Sequence, residues 1–223
     1  MIKVNFRGIG NNGPKQEAIA RLACAALEKA LNHPSFAERV GRARYRETRF
    51  EDQDGRSFSV PPGEVYSYIA SGAERDTAHD STIDLEVWLE QRGDVGGTIP
   101  GTLPFYTAFW FINGCIENDD HISLASHFIH EWLHVSGFYH YPDNDAREDV
   151  PYRVQEIISD ILKESELGMP ASGSDKSAAI GDRTDAVLAP MEGKLLAAGC
   201  GAHRRSDDAV VGPAAPSADD PIM

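Results

Sequence analysis

The sequence contains little cysteine, and the cysteines it has are scattered. Three occur in the 223 residues, at Cys24, Cys115 and Cys200, and none belongs to a C-x-x-C pair. Disulfide-stabilised secreted domains and thiolate zinc sites both need cysteines at closer, paired spacings. The sequence therefore argues against both classes, and Cys24 and Cys115, which lie among apolar neighbours, are predicted to be small buried hydrophobic residues.

The sequence also lacks an excess of positive charge and any long apolar run. It has 35 acidic residues against 21 Lys and Arg, a formal net charge of -14, which would repel a phosphate backbone or an anionic membrane. No apolar run approaches the roughly 18 residues that span a bilayer, and the first residues do not resemble a signal peptide. We therefore expect a soluble protein with no nucleic-acid and no membrane partner, whose compartment and oligomeric state stay open.

The composition changes after residue 170. Residues 171–223 are rich in Ala, Gly, Ser, Asp and Pro, with only a weak helical pattern near 184–198. A segment with so little apolar material cannot bury enough surface to fold. We predict one folded domain over residues 1–170, followed by a low-complexity, largely disordered tail over 171–223.

Apolar periodicity in the first 170 residues predicts a mixture of helices and strands, hence an α+β fold class. Alternating or β-favouring segments predict strands at residues 2–6, 83–89 and 105–112. Apolar residues at helical spacing predict helices at residues 14–31, 64–71, 124–135 and 152–165. Residues 43–60 are typical of a hairpin, with Asp54-Gly55 as its tight turn.

Residues 130–140 read His-Glu-Trp-Leu-His-Val-Ser-Gly-Phe-Tyr-His, and this spacing can place three imidazoles around one ion. His130 and His134 lie one turn apart on the same face of a helix. Gly137 can adopt φ > 0 and end that helix, so that His140 returns as a third ligand. Three protein ligands leave one tetrahedral position open, as in catalytic zinc sites. We therefore predict a Zn²⁺ site formed by the three histidines.

Glu131 is the predicted general base of this site. It is rotated by about 100° from its neighbouring histidine along the helix, so it flanks the ion without ligating it. Zinc lowers the pKa of its bound water towards about 7, and Glu131 can take the proton as the water attacks a polarised carbonyl. Peptide hydrolysis is the natural reaction of this set, so we predict a zinc-dependent endopeptidase acting on a peptide or protein substrate.

The same eleven residues match, without a gap, the extended motif of the metzincin clan of zinc endopeptidases, which the sequence therefore resembles. The resemblance implies that the three histidines are the zinc ligands, Glu131 the base and Gly137 the turn. It also implies a metzincin-like zincin fold: a mixed twisted sheet with an N-terminal helix, an active-site helix and a C-terminal helix. The strand within residues 103–112 would then form the upper rim of the cleft and pair with an extended substrate.

The sequence departs from metzincins at the turn beneath the metal. Metzincins place a methionine there, whereas no Met stands between His140 and the predicted C-terminal helix. Either residues 167–170, with Met169, fold back as this turn, or residues 149–152 form it with another residue below the metal. Pro151 suits a tight turn just before a helix and favours the second alternative.

A tyrosine is the predicted stabiliser of the transition state. In astacin-like metzincins, a tyrosine two residues beyond the methionine reaches the zinc and the oxyanion. Tyr152 stands two residues after Val150, so the resemblance implies this catalytic role for Tyr152. Tyr139 and Tyr141 are the alternatives.

Two further features of this region have a functional and a structural interpretation. His127 lies one turn before His130, where a fourth histidine would crowd a complete ligand set, so we expect it to support the site or to line the cleft. A run of acidic residues could bind calcium, although its spacing fits no EF-hand and favours a solvated loop. This run consists of Asp143, Asp145, Glu148 and Asp149.

Two other functions fit the same motif. The chain could be a zinc hydrolase of a non-peptide amide or of a single specialised protein target, since metal chemistry does not define a substrate. It could also be a non-catalytic module stabilised by zinc that docks through the aromatic residues 105–111. The presence of Glu131 argues against the module, because a structural zinc site needs no base.

Overall fold

The computed structural model describes residues 1–52, 54–72, 74, 79–140 and 148–167. Within these residues the protein is a mixed α and β structure with six α-helices, a four-stranded mixed sheet and a two-stranded hairpin. None of the helices in these ranges combines the length and the hydropathy that crossing a membrane requires. The predicted tail, with its weak helical pattern near 184–198, lies outside the described residues.

The helices and strands follow one another along the chain with short connections. The strands are β1 (Lys3–Gly10), β2 (Arg49–Glu51), β3 (Ser57–Ser59), β4 (Thr82–Glu90), β5 (Gly96–Gly97) and β6 (Phe105–Ala108). The helices are α1 (Pro14–Leu31), α2 (Phe36–Arg42), α3 (Val65–Ser71), α4 (Phe109–Asn118), α5 (His121–Ser136) and α6 (Val150–Glu166). A 3-10 turn, Pro62–Glu64, leads into α3.

The four-stranded sheet has the order β1-β4-β6-β5. β1, β4 and β6 are parallel, and β5 runs antiparallel to β6 at the edge. Alternate residues of β4 are fully buried, as its alternating sequence predicts: Ile83, Leu85, Val87 and Leu89. Helix α1 packs against β1 and α5, and α5 packs against α6, β4 and β6. The helix that carries the histidine motif is therefore buried in the centre of the fold.

Most of the predicted helices and strands are present, with some changes of length. Helix α1 has the predicted bounds, and α3, α5 and α6 lie where the apolar periodicity placed them. β1 continues beyond the predicted end at residue 6 to Gly10. An irregularity in its pairing with β4 between Phe6 and Gly8 accommodates the glycine, whose φ is 151°. Helix α2 was not predicted.

The predicted strand over residues 105–112 is wrong in its second half. It ends at Ala108, and α4 begins at Phe109. In α4 the buried residues Phe111, Ile112 and Cys115 recur at helical spacing, so burial of one helix face outweighs the β-favouring character of these aromatic side chains. The indole N–H of Trp110 donates to the carbonyl of Arg92 at 3.1 Å.

The expected position of this strand at the rim is also corrected. β6 lies inside the sheet, between β4 and β5, with Thr107 opposite Gly96 and Tyr106 opposite Gly97. The edge on this side of the sheet is β5, which consists of two glycines. Among the described strands, the outermost on this side of the sheet is thus β5, which precedes β6 in the chain.

Candidate metal centre

Three histidines meet in one cluster. His130, His134 and His140 each offer a ring nitrogen, and these three atoms all lie within 4.8 Å of one another. The Nε2 atoms of His134 and His140 are 3.0 Å apart. Among the residues that the structure describes, no other group of three potential ligands is brought together. The three histidines predicted from the spacing of the motif can therefore hold a metal ion.

Helix α5 presents the first two histidines because its two ends are fixed. The carboxylate of Asp120 caps its start by accepting from the backbone N–H of Ser123 at 2.9 Å. Gly137 ends it with φ at 124°, a conformation that favours glycine. A Cβ at Gly137 would also overlap the carbonyl oxygen of Glu51. The predicted turn at Gly137 is confirmed, and the close approach of Glu51 gives a second reason for glycine.

Hydrogen bonds fix the orientation of two of the rings. Nδ1 of His134 lies 2.7 Å from the carbonyl oxygen of Phe138, and Nδ1 of His140 lies 2.7 Å from Oδ2 of Asp149. Since both partners are acceptors, Nδ1 carries the proton in each ring, and the lone pair of Nε2 faces the cluster. Two lone pairs at 3.0 Å repel each other unless a cation or a proton lies between them, so this arrangement fits a bound metal.

The ring of His130 is the most deeply desolvated of the three. Nδ1 of His130 is buried and makes no hydrogen bond of ordinary geometry with the described residues, although the side chain of Gln155 interacts with the ring and acts to raise its pKa. Burial lowers the pKa of His130 well below 6.5, helped by the neighbouring imidazoles, and lowers the pKa of His134 to about 3. Both rings are therefore neutral at physiological pH, the form that binds metals.

Asp149 is a buried residue that the sequence interpretation placed in an acidic, solvated run. Its side chain is 1 % exposed, so that interpretation is wrong for this residue. Oδ2 accepts from His140, and Oδ1 accepts from the backbone N–H of Tyr152 at 3.2 Å, which caps α6. Glu148 is exposed as expected, whereas Asp143 and Asp145 lie outside the described residues.

Glu131 lies in the same helix and is buried, with 5 % of its surface exposed. Its Oε2 accepts a hydrogen bond of 2.6 Å from the hydroxyl of Thr98. Burial raises the pKa of Glu131 to about 7, although the hydrogen bond from Thr98 acts in the opposite direction. A carboxylate with a pKa near neutrality is suited to accept and then return a proton at physiological pH.

His127 lies beside Glu131 and outside the histidine cluster. Its Nε2 is 3.0 Å from the hydroxyl oxygen of Thr107, and its Nδ1 is 3.7 Å from Oε1 of Glu131. The ring packs edge-on against Phe111 at 5.2 Å, and a Cβ at Gly96 would overlap it. Burial lowers the pKa of His127 to about 3, so a neutral imidazole supports the wall beside Glu131.

Tyr152 lies against the histidines. Its ring centroid is 4.6 Å from that of His130, nearly perpendicular, and 4.9 Å from that of His140, with the planes inclined by 30°. Residues 150–152 form the first turn of α6 instead of a separate turn before that helix. The ring of Tyr139 lies 5.6 Å from the guanidinium of Arg49. Tyr141 and Met169, the alternatives for the catalytic tyrosine and for the turn, lie outside the described residues.

Residues 46–51 form backbone hydrogen bonds with the chain segments on both sides of His140. On one side Arg46 donates its N–H to the carbonyl of Glu148 at 2.8 Å. On the other side the N–H of Glu51 donates to the carbonyl of Gly137 at 2.9 Å, and the N–H of Tyr139 donates to the backbone carbonyl of Arg49 at 3.1 Å. We call residues 46–51 the clamp strand. The sequence predicted a hairpin here but gave no sign that it contacts the metal centre.

Aromatic packing fixes the clamp strand against the end of α5. The ring of Phe50 lies 5.1 Å from that of Phe138 and 5.0 Å from that of Tyr68. Phe138 is the residue whose carbonyl orients His134. The position of that carbonyl therefore depends on a hairpin that is remote from the motif in the sequence.

Comparison of the chain with protein-family models, with curated proteins and with solved structures found no match. The functional interpretation therefore depends on the motif and on the geometry of the site.

Proposed function

We propose that the protein is a zinc-dependent endopeptidase of the metzincin type with a zincin-like fold. His130, His134 and His140 would hold the zinc ion, and Glu131 would act as general base. The observation that carries the proposal is the buried carboxylate of Glu131, with a pKa near 7, in the same helix as two of the three clustered histidines. A site that bound metal only for stability would have no use for such a carboxylate.

The chemistry divides between the metal and the chain. Zinc, when bound, supplies a Lewis acid that polarises the scissile carbonyl and makes water more acidic. Glu131 takes the proton of the attacking water and delivers it to the leaving amine, which a group with a pKa of about 7 can do in both directions. The hydroxyl of Tyr152 is proposed to stabilise the oxyanion, as the resemblance implies.

The choice of zinc rests on the motif. Imidazole ligands suit zinc, copper, iron and nickel alike, so the histidine cluster does not select among them. The glutamate at the second position of the motif favours zinc, because hydrolysis needs a Lewis acid and a base but no change of oxidation state. Metal analysis of the purified protein tests this choice directly.

The proposed substrate is an extended peptide that pairs with β5. β5 ends the sheet, and the backbone of an edge strand can add one more strand. Thr98 directly follows β5 and contacts Glu131, so a peptide paired with β5 would pass close to the base.

The substitution Glu131→Gln tests the proposal. It removes the base but keeps the size of the side chain, so we expect zinc binding and the unfolding temperature to be retained while turnover of a peptide library falls by about 10²–10⁴-fold. Glu117→Gln makes the same chemical change at an exposed position of α4 and should leave turnover unchanged.

Two results would count against the proposal. Unchanged turnover in Glu131→Gln would overturn the mechanism. A fully zinc-loaded wild-type protein that cleaves no peptide would overturn the endopeptidase assignment and favour a non-peptide amide, a single specialised target or a binding module.

A further inference from the structure

We infer that Thr98 is a positioning residue that holds the carboxylate of Glu131 in one orientation beside the substrate edge. The inference rests on the proposed function, since it concerns the base of that reaction. It gives the loop after β5 a role in positioning Glu131, although this loop lies outside the motif at residues 130–140.

The hydroxyl of Thr98 meets Glu131 at two points. It lies 2.6 Å from Oε2 and 3.3 Å from the backbone carbonyl oxygen of Glu131. A hydroxyl has one proton to donate, and the shorter distance to a charged acceptor identifies the carboxylate as its partner. Hydrogen bonds from neutral donors to charged groups are among the stronger ones in proteins.

Within the described residues, the other oxygen of the carboxylate has no comparable contact. Oε1 lies 3.7 Å from Nδ1 of His127, beyond hydrogen-bond distance. Among the described residues, Thr98 is therefore the donor that the carboxylate of Glu131 depends on. Without this bond the carboxylate could turn about its own axis between His127 and the cleft.

The backbone around Thr98 is held by other bonds, which separates a positioning role from a structural one. β5 pairs with β6, and the N–H of Ala108 donates to the carbonyl of Val95 at 2.7 Å. Beyond Thr98, the N–H of Gly101 donates to the carbonyl of His134 at 3.2 Å. Both ends of the loop are thus fixed without the hydroxyl, and its removal should affect Glu131 more than the fold.

The consequence is a direct link between substrate binding and the base. A peptide that pairs with β5 would lie against the residue before Thr98, while the side chain of Thr98 fixes the group that takes the proton. Positions of reacting groups must be held within fractions of an ångström for efficient catalysis. Thr98 performs this function for Glu131 from outside the active-site helix.

The test compares Thr98→Val, which keeps the shape but loses the hydroxyl, with Thr98→Ser, which keeps the hydroxyl. In the zinc-loaded full chain we expect Thr98→Val to lower kcat by about 10–100-fold with KM unchanged, and Thr98→Ser to restore most of it. Zinc affinity and the unfolding temperature should match wild type. Thr102→Val removes a hydroxyl that bonds to Ile99 in the same loop, and this control should behave like wild type.

A binding measurement makes the test independent of turnover. Acetohydroxamate chelates zinc and offers its protons to a neighbouring carboxylate, so calorimetry reports the position of Glu131 without a reaction. We expect Thr98→Val to weaken this binding by about tenfold, as the lost bond predicts, and Thr98→Ser to bind like wild type.

The outcomes separate this inference from the proposed function. Wild-type kcat and hydroxamate affinity in Thr98→Val would overturn the inference, and so would equal losses in the Val and Ser variants or a loss of zinc or stability in Thr98→Val. A wild-type protein that cleaves no peptide would overturn the proposed function alone, because the hydroxamate measurement would still decide the role of Thr98.

Discussion

The substitution Asp149→Ser should weaken zinc binding while leaving the start of α6 intact. Asp149 accepts two hydrogen bonds, one from Nδ1 of His140 at 2.7 Å and one from the backbone N–H of Tyr152 at 3.2 Å. Serine caps a helix about as well as aspartate, but its shorter side chain cannot also reach the imidazole. The substitution therefore removes the support of a ligand and keeps the cap.

The magnitude follows from the kind of bond that is lost. Partners that orient a ligating histidine contribute about 10–100-fold to metal affinity, or roughly 1.4–2.8 kcal/mol. Asp149→Ala removes the cap as well, and should lower the free energy of unfolding of the metal-free protein by about 1 kcal/mol beyond the effect of Asp149→Ser. The two variants thus separate the metal contribution from the helix contribution.

The assay measures zinc affinity by competition with a chromogenic chelator, and stability by urea unfolding in EDTA. Asp120→Ala is the matched control, because Asp120 caps α5 through Ser123 in the same way. It should cost about 1 kcal/mol of stability and leave zinc affinity unchanged. If Asp149→Ser binds zinc as tightly as wild type, the reasoning that His140 is a ligand oriented by Asp149 is refuted.

Two other predictions concern rings near the site. Tyr152→Phe keeps the ring against His130 and His140, so zinc affinity should hold while kcat falls on the order of 100-fold; steady-state rates equal to wild type would leave Tyr152 a packing role only. Burial lowers the pKa of His127 from 6.5 to about 3. Between these values the unfolded chain binds a proton at His127 and the folded chain does not. The free energy of unfolding therefore decreases as the pH falls below about 6.5. At pH 5 this decrease is about 2 kcal/mol. In urea unfolding of the metal-free protein between pH 8 and pH 5, His127→Phe should therefore lose about 2 kcal/mol less stability than wild type. Parallel pH profiles of the two proteins would contradict the lowered pKa of His127.

The histidine cluster was predictable because its information is local. Four-residue spacing on an amphipathic helix fixes the relation of His130 to His134, and Gly137 marks the turn towards His140. The structure brings these three together as the spacing predicts. The roles of Glu131 and Tyr152 as catalytic residues, and zinc as the metal, stay predictions.

The residues that support the cluster were harder to find. Asp149 looks like its acidic neighbours in the sequence, although its position directly before Val150-Pro151 is a helix-cap signal that could have distinguished it. Thr98 gave no signal, because a single threonine in a glycine-rich loop has no periodicity. The carbonyl of Phe138 belongs to the backbone, whose hydrogen-bond partners depend on tertiary structure.

Strand and helix were confused where aromatic side chains dominate. Residues 105–112 favour a strand by composition, yet the chain turns into α4 at Phe109. Short apolar runs fit a buried strand and a buried helix equally well. Packing of Phe111, Ile112 and Cys115 into the core decided between them.

Because the clamp strand holds both sides of His140, we expect the histidine cluster to be complete only late in folding. The strand's hydrogen bonds from Glu51 to Gly137 and from Arg46 to Glu148 join residues 86 and 102 positions apart. Pairings over such separations form slowly because a long loop must close first. Before they form, a chain with α5 alone offers His130 and His134 but no fixed third ligand. We therefore expect full affinity for a metal ion only in the finished domain, where binding of the ion would stabilise the long-range pairing that created its site.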